Sequence, residues 1–196
     1  MFILGLTGSI GMGKSTTAKM FAEEGCAVWD ADAAVHRLYV KGGAAVGPLQ
    51  DALPQAITDG AVSRDALRGI IAGDPDALKR IEAIVHPLVA ADRAAFLTET
   101  TADISVLDIP LLFETGGDRL VDAVACVSVP GEIQEKRVLD RGTMTPEQFA
   151  QIRDKQLPDA EKRARSDYVI ITDTVEHARA QVQNIVRQIR ENMTNA

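Results

Sequence analysis

Cysteine is scarce in this 196-residue chain: only Cys26 and Cys126 are present, each beside or inside an apolar run and neither in a Cys-x-x-Cys pair. That spacing argues against a disulfide framework or a thiolate metal site and leaves two small buried thiols as the expectation. Long apolar runs are also missing, since no stretch comes near the roughly 20 residues that cross a bilayer. The N-terminus reads as a strand followed by a Gly-rich loop, without the basic start and small-residue cleavage site of a secretory signal, so a cytoplasmic location is expected. An excess of positive charge is lacking as well, with 21 Lys and Arg against 28 Asp and Glu. A nucleic-acid partner is therefore not expected, because neutralising several phosphates needs a basic face. Repeats, low-complexity tracts and flexible interdomain linkers are absent, and nothing in the pattern demands a partner chain. The length suits one well-buried core with small excursions that move as subdomains.

The charge that is present is unevenly spread. Between Lys136 and Arg165 there are eight basic and five acidic residues, leaving 13 basic and 23 acidic in the remainder. One segment thus opposes its surroundings in sign, which suits a locally bound polyanion; a solvated helix of mixed charge would give the same count.

Five short runs read as strands: Phe2 to Thr7, Ala27 to Asp30, Ile104 to Ile109, Ala123 to Val129 and Tyr168 to Ile171. They are nearly continuous in apolar residues and alternate with helical patterns, which predicts an α/β fold with a parallel sheet covered on both faces. Lys14 to Glu24 has helical spacing with Ala18, Phe21 and Ala22 on one face. The interval from Asp32 to Thr100 shows no comparable strand and several helix starts, at Ser63, Pro75 and Pro87, so a mainly helical insertion is expected there. Thr145, Pro146 and Gln148 spell a capping box with proline at the first helical position, and a last helix is predicted from about Val175 to Met193.

Gly8, Gly13, Lys14 and Ser15 fit the pattern Gly-x4-Gly-Lys-Ser/Thr, directly after a strand and opening a helix. Each residue type has a physical reason. Glycines, including Gly11, let the backbone turn its N–H groups inward around phosphates, and the positive end of the next helix adds to that field. Met12 lies inside the same loop. Lys14 offers a mobile charge to the β and γ phosphates, Ser15 a hard oxygen for magnesium, and Thr16 a further phosphate hydrogen bond. ATP and Mg2+ are the cofactors this implies.

A GTPase would need an Asn-Lys-x-Asp motif, but the three asparagines (Asn184, Asn192, Asn195) lie in the last helix or tail and none begins one. A chain of this size fits a self-contained phosphotransferase. Asp30-Ala31-Asp32 ends the second strand, on the rim where parallel sheets place their sites. Asp32 has two roles open on spacing alone: base for an acceptor hydroxyl, or N-cap of a helix beginning at Ala33. Asp108 ends the third strand, where P-loop enzymes keep a carboxylate that holds magnesium or its water shell. Arg137 and Arg141, four residues apart, are expected on one helix face, either over the transferring phosphoryl group or paired with Asp140 or Glu135.

Together these motifs resemble the dephospho-coenzyme A kinases. The resemblance runs through Gly5-Leu6-Thr7-Gly8 to Ser15, Asp30-Ala31-Asp32, Ile81 to His86-Pro87, and Asp108-Ile109-Pro110-Leu111-Leu112-Phe113-Glu114. It continues with Gln134, Arg137, Arg141 and Gln156, so it spans most of the chain in order. It implies a P-loop kinase fold with a five-stranded parallel sheet, and ATP-dependent phosphorylation of the ribose 3'-hydroxyl of dephospho-coenzyme A. It also implies a nucleotide-binding core (1–31, 101–131 and 166–196), a helical acceptor domain (32–100) and a helical lid (132–165). Carried over by position, Asp32 would be the base, Lys14 the phosphate lysine, Ser15 the metal hydroxyl, Arg137 and Arg141 the lid arginines, and Thr7 and His86 acceptor contacts; His86, which precedes a proline, has capping or packing of a helix as its other role. Three positions depart from the family pattern: Ser166 before Asp167 where alanine is usual, Thr172-Asp173 where an asparagine is common, and Trp29 in place of an aliphatic residue. The other readings are a small-molecule kinase of the nucleoside-monophosphate or shikimate type, and a nucleotide-dependent switch without catalysis.

Overall fold

The computed structural model describes residues 1–195. The chain divides into two compact units, one made of residues 1–29 and 100–196 and the other of residues 30–99.

The first unit is built on the apolar runs. β1 (Phe2–Thr7), β5 (Ile104–Asp108), β6 (Ala123–Ser128) and β7 (Tyr168–Ile171) join β2 (Ala27–Asp30) in a five-stranded sheet of order β2-β5-β1-β6-β7. β1 pairs in parallel with both β5 and β6, and β6 with β7. All residues of β5 and β6 are buried, as expected of central strands covered on both faces. α1 (Lys14–Glu23) and α9 (Val175–Asn195) cover one side. Ala178, Val182, Ile185, Val186 and Ile189 recur at three- and four-residue spacing and form the buried stripe of α9 against Met20 and Phe21 of α1. Outside that stripe, Arg190 pairs with Asp103 at 2.7 Å, and Arg179 pairs with Glu23. The basic segment folds as α6 (Gly131–Leu139), α7 (Pro146–Lys155) and α8 (Asp159–Ala164). The capping box at the start of α7 is present in both directions: the Thr145 hydroxyl accepts from Gln148 N–H, and the Gln148 side chain accepts from Thr145 N–H. Cys26 and Cys126 are both buried free thiols.

The second unit has its own apolar cluster, with Leu38, Leu49, Leu53, Leu67, Ile81 and Val85 at its centre. Its helices are α2 (Ala31–Tyr39), α3 (Val46–Ala52), α4 (Arg64–Gly73) and α5 (Ala77–Glu99). Three details differ from the expectations above. A short antiparallel hairpin, β3 (Ile57–Thr58) with β4 (Ala61–Val62), interrupts the helices; Asp59 and Gly60 turn it, both at positive φ (53° and 80°), the geometry that Asp-Gly favours. Pro87 does not open a helix but lies inside the 23-residue α5. The carbonyl that loses its donor there is that of Ala83, and both residues are exposed, so water can satisfy it while Ile81 and Val85 keep the buried stripe continuous. Finally, α2 begins at Ala31, not Ala33. Asp30 is its N-cap, with Oδ1 accepting from Ala33 N–H at 2.9 Å, which leaves Asp32 exposed in the first turn. Of two carboxylates able to cap, the one at the end of the strand is used.

Among the described residues no helix is long and apolar enough to cross a membrane.

Candidate active site

The loop between β1 and α1 forms a backbone cradle. Gly11 and Gly13 have φ of 79° and 89°, and a Cβ on either would meet a neighbour, Val138 Cγ2 at 2.5 Å or Thr172 Oγ1 at 3.0 Å. Both the backbone turn and the close approach therefore require glycine here. Gly13 caps α1 without a side-chain hydrogen bond, and no acidic residue occupies the first turn. The first N–H groups of α1 thus keep their capacity to bind an anion. Ser15 and Thr16 are exposed on that turn, while Met12 is buried with its Sδ accepting from Val129 N–H at 3.2 Å.

Lys14 Nζ is ion-paired with Oδ1 of Asp108. The register of β1 on β5 sets Asp108 opposite Leu6, at the strand ends beside the cradle. Asp108 is 1 % exposed, so this carboxylate is sheltered from water and held next to the lysine. Thr7 is fully buried and its hydroxyl donates to Pro110 O at 3.1 Å. It has no surface to offer an acceptor, and it instead fixes the chain leaving β5.

Two glutamines hold the apex of the loop. Gln134 Nε2 donates to Ile10 O at 2.8 Å, and Gln156 Oε1 accepts from Ile10 N–H at 3.1 Å. Arg137 donates to Thr172 Oγ1 (3.2 Å), Thr172 O (2.6 Å) and Asp173 O (3.3 Å). Arg141 does not share its helical face: α6 stops at Leu139, Asp140 is the C-cap, and Arg141 follows in the turn that Gly142 closes with φ 63°. The helix ends two residues before it. Neither arginine pairs with Asp140, which is taken by Lys136 at 2.6 Å. Both arginines nonetheless line one cavity of about 270 Å³ with Gly11, Gly13, Thr16 and Thr172.

Lys162 is fully buried, pairs with Glu114 at 2.9 Å and donates to Pro110 O at 3.2 Å. Burial opposes ionisation of Glu114, but Lys162 and the N–H of Leu157 outweigh it and hold the carboxyl below the usual range. Sequence reasoning found no role for Lys162, because one lysine in a charged segment carries no sign that it is buried.

Lys14, Asp108, Arg137 and Arg141 thus belong to the first unit, whereas Asp32 and His86, both exposed, belong to the second. For a divalent cation the cradle offers the Ser15 hydroxyl and the Asp108 carboxylate, both hard oxygens. Among the described residues no group of three or more His, Cys, Asp or Glu could hold a metal by itself. Such a sparse oxygen set fits magnesium, which keeps waters and takes its other ligands from phosphates.

A parallel sheet of this order, with a phosphate cradle leading into α1, defines a P-loop kinase fold. A shikimate kinase from Acinetobacter baumannii shares it, with a TM-score of 0.54, 18% identity, and 98% of this chain and 94% of that one covered.

The chain belongs to the dephospho-CoA kinase family, whose model matches residues 2–177. A dephospho-CoA kinase of Ruegeria pomeroyi is 71% identical over 189 residues, 96% of each chain. The crystal structure of TT1252 from Thermus thermophilus superposes with a TM-score of 0.86 at 32% identity, covering 95% of this chain and 96% of that one.

Proposed function

We infer that this chain transfers the γ-phosphoryl group of ATP to the ribose 3'-hydroxyl of dephospho-coenzyme A, giving coenzyme A and ADP. The observation that carries this is a family match across residues 2–177 that includes an intact phosphate cradle. The backbone of residues 8–16 holds the β and γ phosphates, and Lys14 exchanges Asp108 for phosphate oxygens when the nucleotide enters. Ser15 and Asp108 are the residues that would hold magnesium or its water shell, and the ion when bound would supply neutralising positive charge to the phosphates. Asp32 takes the proton of the acceptor hydroxyl as the bond from that oxygen to phosphorus forms and the β–γ bridge breaks. Arg141 balances charge on the group in transit, with Arg137 beside it. Residues 32–100 receive the acceptor, with His86 among its contacts, and residues 132–165 serve as a lid that keeps water from the phosphates. The protein works in the cytoplasm on small molecules, without an obligatory protein or nucleic-acid partner.

The test is ADP release with ATP and Mg2+ against a panel of acceptors. Dephospho-coenzyme A alone should stimulate it, with a product one phosphate heavier at the 3' position. Stimulation by shikimate or a nucleoside monophosphate instead would overturn the reading, and no stimulation by any acceptor would turn it toward a nucleotide switch.

A further inference from the structure

We propose that Thr172 is a positioning residue whose hydroxyl joins Arg137 to the phosphate cradle, so that the guanidinium is set for the nucleotide before it arrives. This rests on the nucleotide site described above. Thr172 follows β7 and is 7 % exposed, and its own N–H donates to Ser128 O at 3.0 Å, which anchors it to β6. Its side-chain oxygen sits between two partners, Met12 O at 2.7 Å and Arg137 Nη1 at 3.2 Å. Direction follows from chemistry: a guanidinium has only donors, so the single hydroxyl proton must go to Met12 O and a lone pair must face Arg137. The side chain also packs against Gly13, where an added Cβ would come within 3.0 Å of Oγ1. One buried hydroxyl therefore touches the loop at two successive residues and the arginine at once.

Arg137 is held mainly from this position. Its second amino group donates to the carbonyls of Thr172 and Asp173. These acceptors are neutral dipoles, and among the described residues no carboxylate pairs with it. Its charge is thus oriented but not cancelled, the condition for acting on a polyphosphate in the cavity that Arg137, Thr172 and Gly13 line together. Fixing a long side chain beforehand removes the ordering cost that binding would otherwise carry. An apolar residue of the same shape would fill the space and keep the two carbonyl contacts. It would lose the bond that sets Nη1 and leave Met12 O without its donor.

The experiment uses the full chain with Thr172→Val, Thr172→Ser, Arg137→Met and the Thr172→Val/Arg137→Met double variant. Calorimetry gives Kd for a non-hydrolysable ATP analogue with Mg2+, and steady-state assays give KM for ATP and for dephospho-coenzyme A. Thr172→Val should raise the analogue Kd and the ATP KM by about tenfold, the scale of one hydrogen bond to a charged group. KM for dephospho-coenzyme A should stay within roughly twofold, since a nucleotide-side bond is uniform to the acceptor. Thr172→Ser should recover most of the nucleotide affinity. The double variant should bind no more weakly than Arg137→Met alone, because both changes remove one coupled interaction. Unchanged Kd in Thr172→Val, or losses that add fully in the double variant, would overturn the proposal. So would an equal loss for both substrates that serine does not rescue, which marks a packing role. Should the unaltered protein fail to phosphorylate dephospho-coenzyme A, the proposed function falls, while the analogue Kd values still decide the role of Thr172.

Discussion

Lys14, in the first turn of α1, is ion-paired with Asp108 at the end of β5, and the carboxylate is 1 % exposed. The pair places the lysine at the cradle, and under the proposed function phosphate oxygens replace its sheltered partner.

Asp108→Asn keeps the shape and removes the charge. Turnover should fall by ~10² to 10³, the usual loss when one electrostatic contributor at a phosphoryl-transfer site is removed. The Mg2+ concentration for half-maximal rate should rise as well. A variant with normal turnover and an unchanged Mg2+ dependence would take Asp108 out of the chemistry.

Glu114 and Lys162 predict an acid-sensitive tether. The folded-state pKa of Glu114 is held below its unfolded value, so its contribution is complete at neutral pH. It is lost as pH falls through and below the ordinary carboxylate range, where the carboxylate takes up its proton. In Glu114→Gln the stability difference from the unaltered protein should shrink across that acid range in urea melts at successive pH values. In a Lys162→Met background the same Glu114→Gln difference should lose most of its pH dependence, because the partner that favours the carboxylate is gone. A constant Glu114→Gln difference down to pH 3 would mean that the pair contributes nothing.

Burial raises both thiols, pushing Cys26 and Cys126 up to about 11. At pH 7.5 the native protein should react with a disulfide reagent at least ~100-fold more slowly than the same chain in denaturant, since the thiolate is the reactive form. Fast modification of either native thiol would show that its surroundings open readily.

Much of the fold was legible because its signals are local. The runs Phe2 to Thr7 and Tyr168 to Ile171 match strands to the residue, and the Thr145 capping box forms as its residue types require. Pro87 misled because the rule it obeys concerns one carbonyl, and an exposed carbonyl can bond water instead. The hairpin at Asp59-Gly60 was missed, because strands of two residues carry no periodicity. In the site, the Gly-Lys-Ser spacing marked the cradle because backbone geometry dictates those residue types. The bonds of Arg137 to the Thr172 and Asp173 carbonyls were not legible, since backbone acceptors some 35 residues away leave no mark of residue type. The same holds for Gln134 and Gln156, which matched a family pattern while their shared partner, the backbone of Ile10, could be seen only in three dimensions.

The first turn of α2 frees Asp32 from capping and leaves its carboxylate exposed, and the proposed mechanism gives that group the proton of the acceptor hydroxyl. The most direct measurement is kcat for Asp32→Asn beside its affinity for an ATP analogue. The account predicts a fall in kcat of ~10² to 10⁴ with nucleotide affinity largely intact. Near-normal turnover in that variant would contradict it.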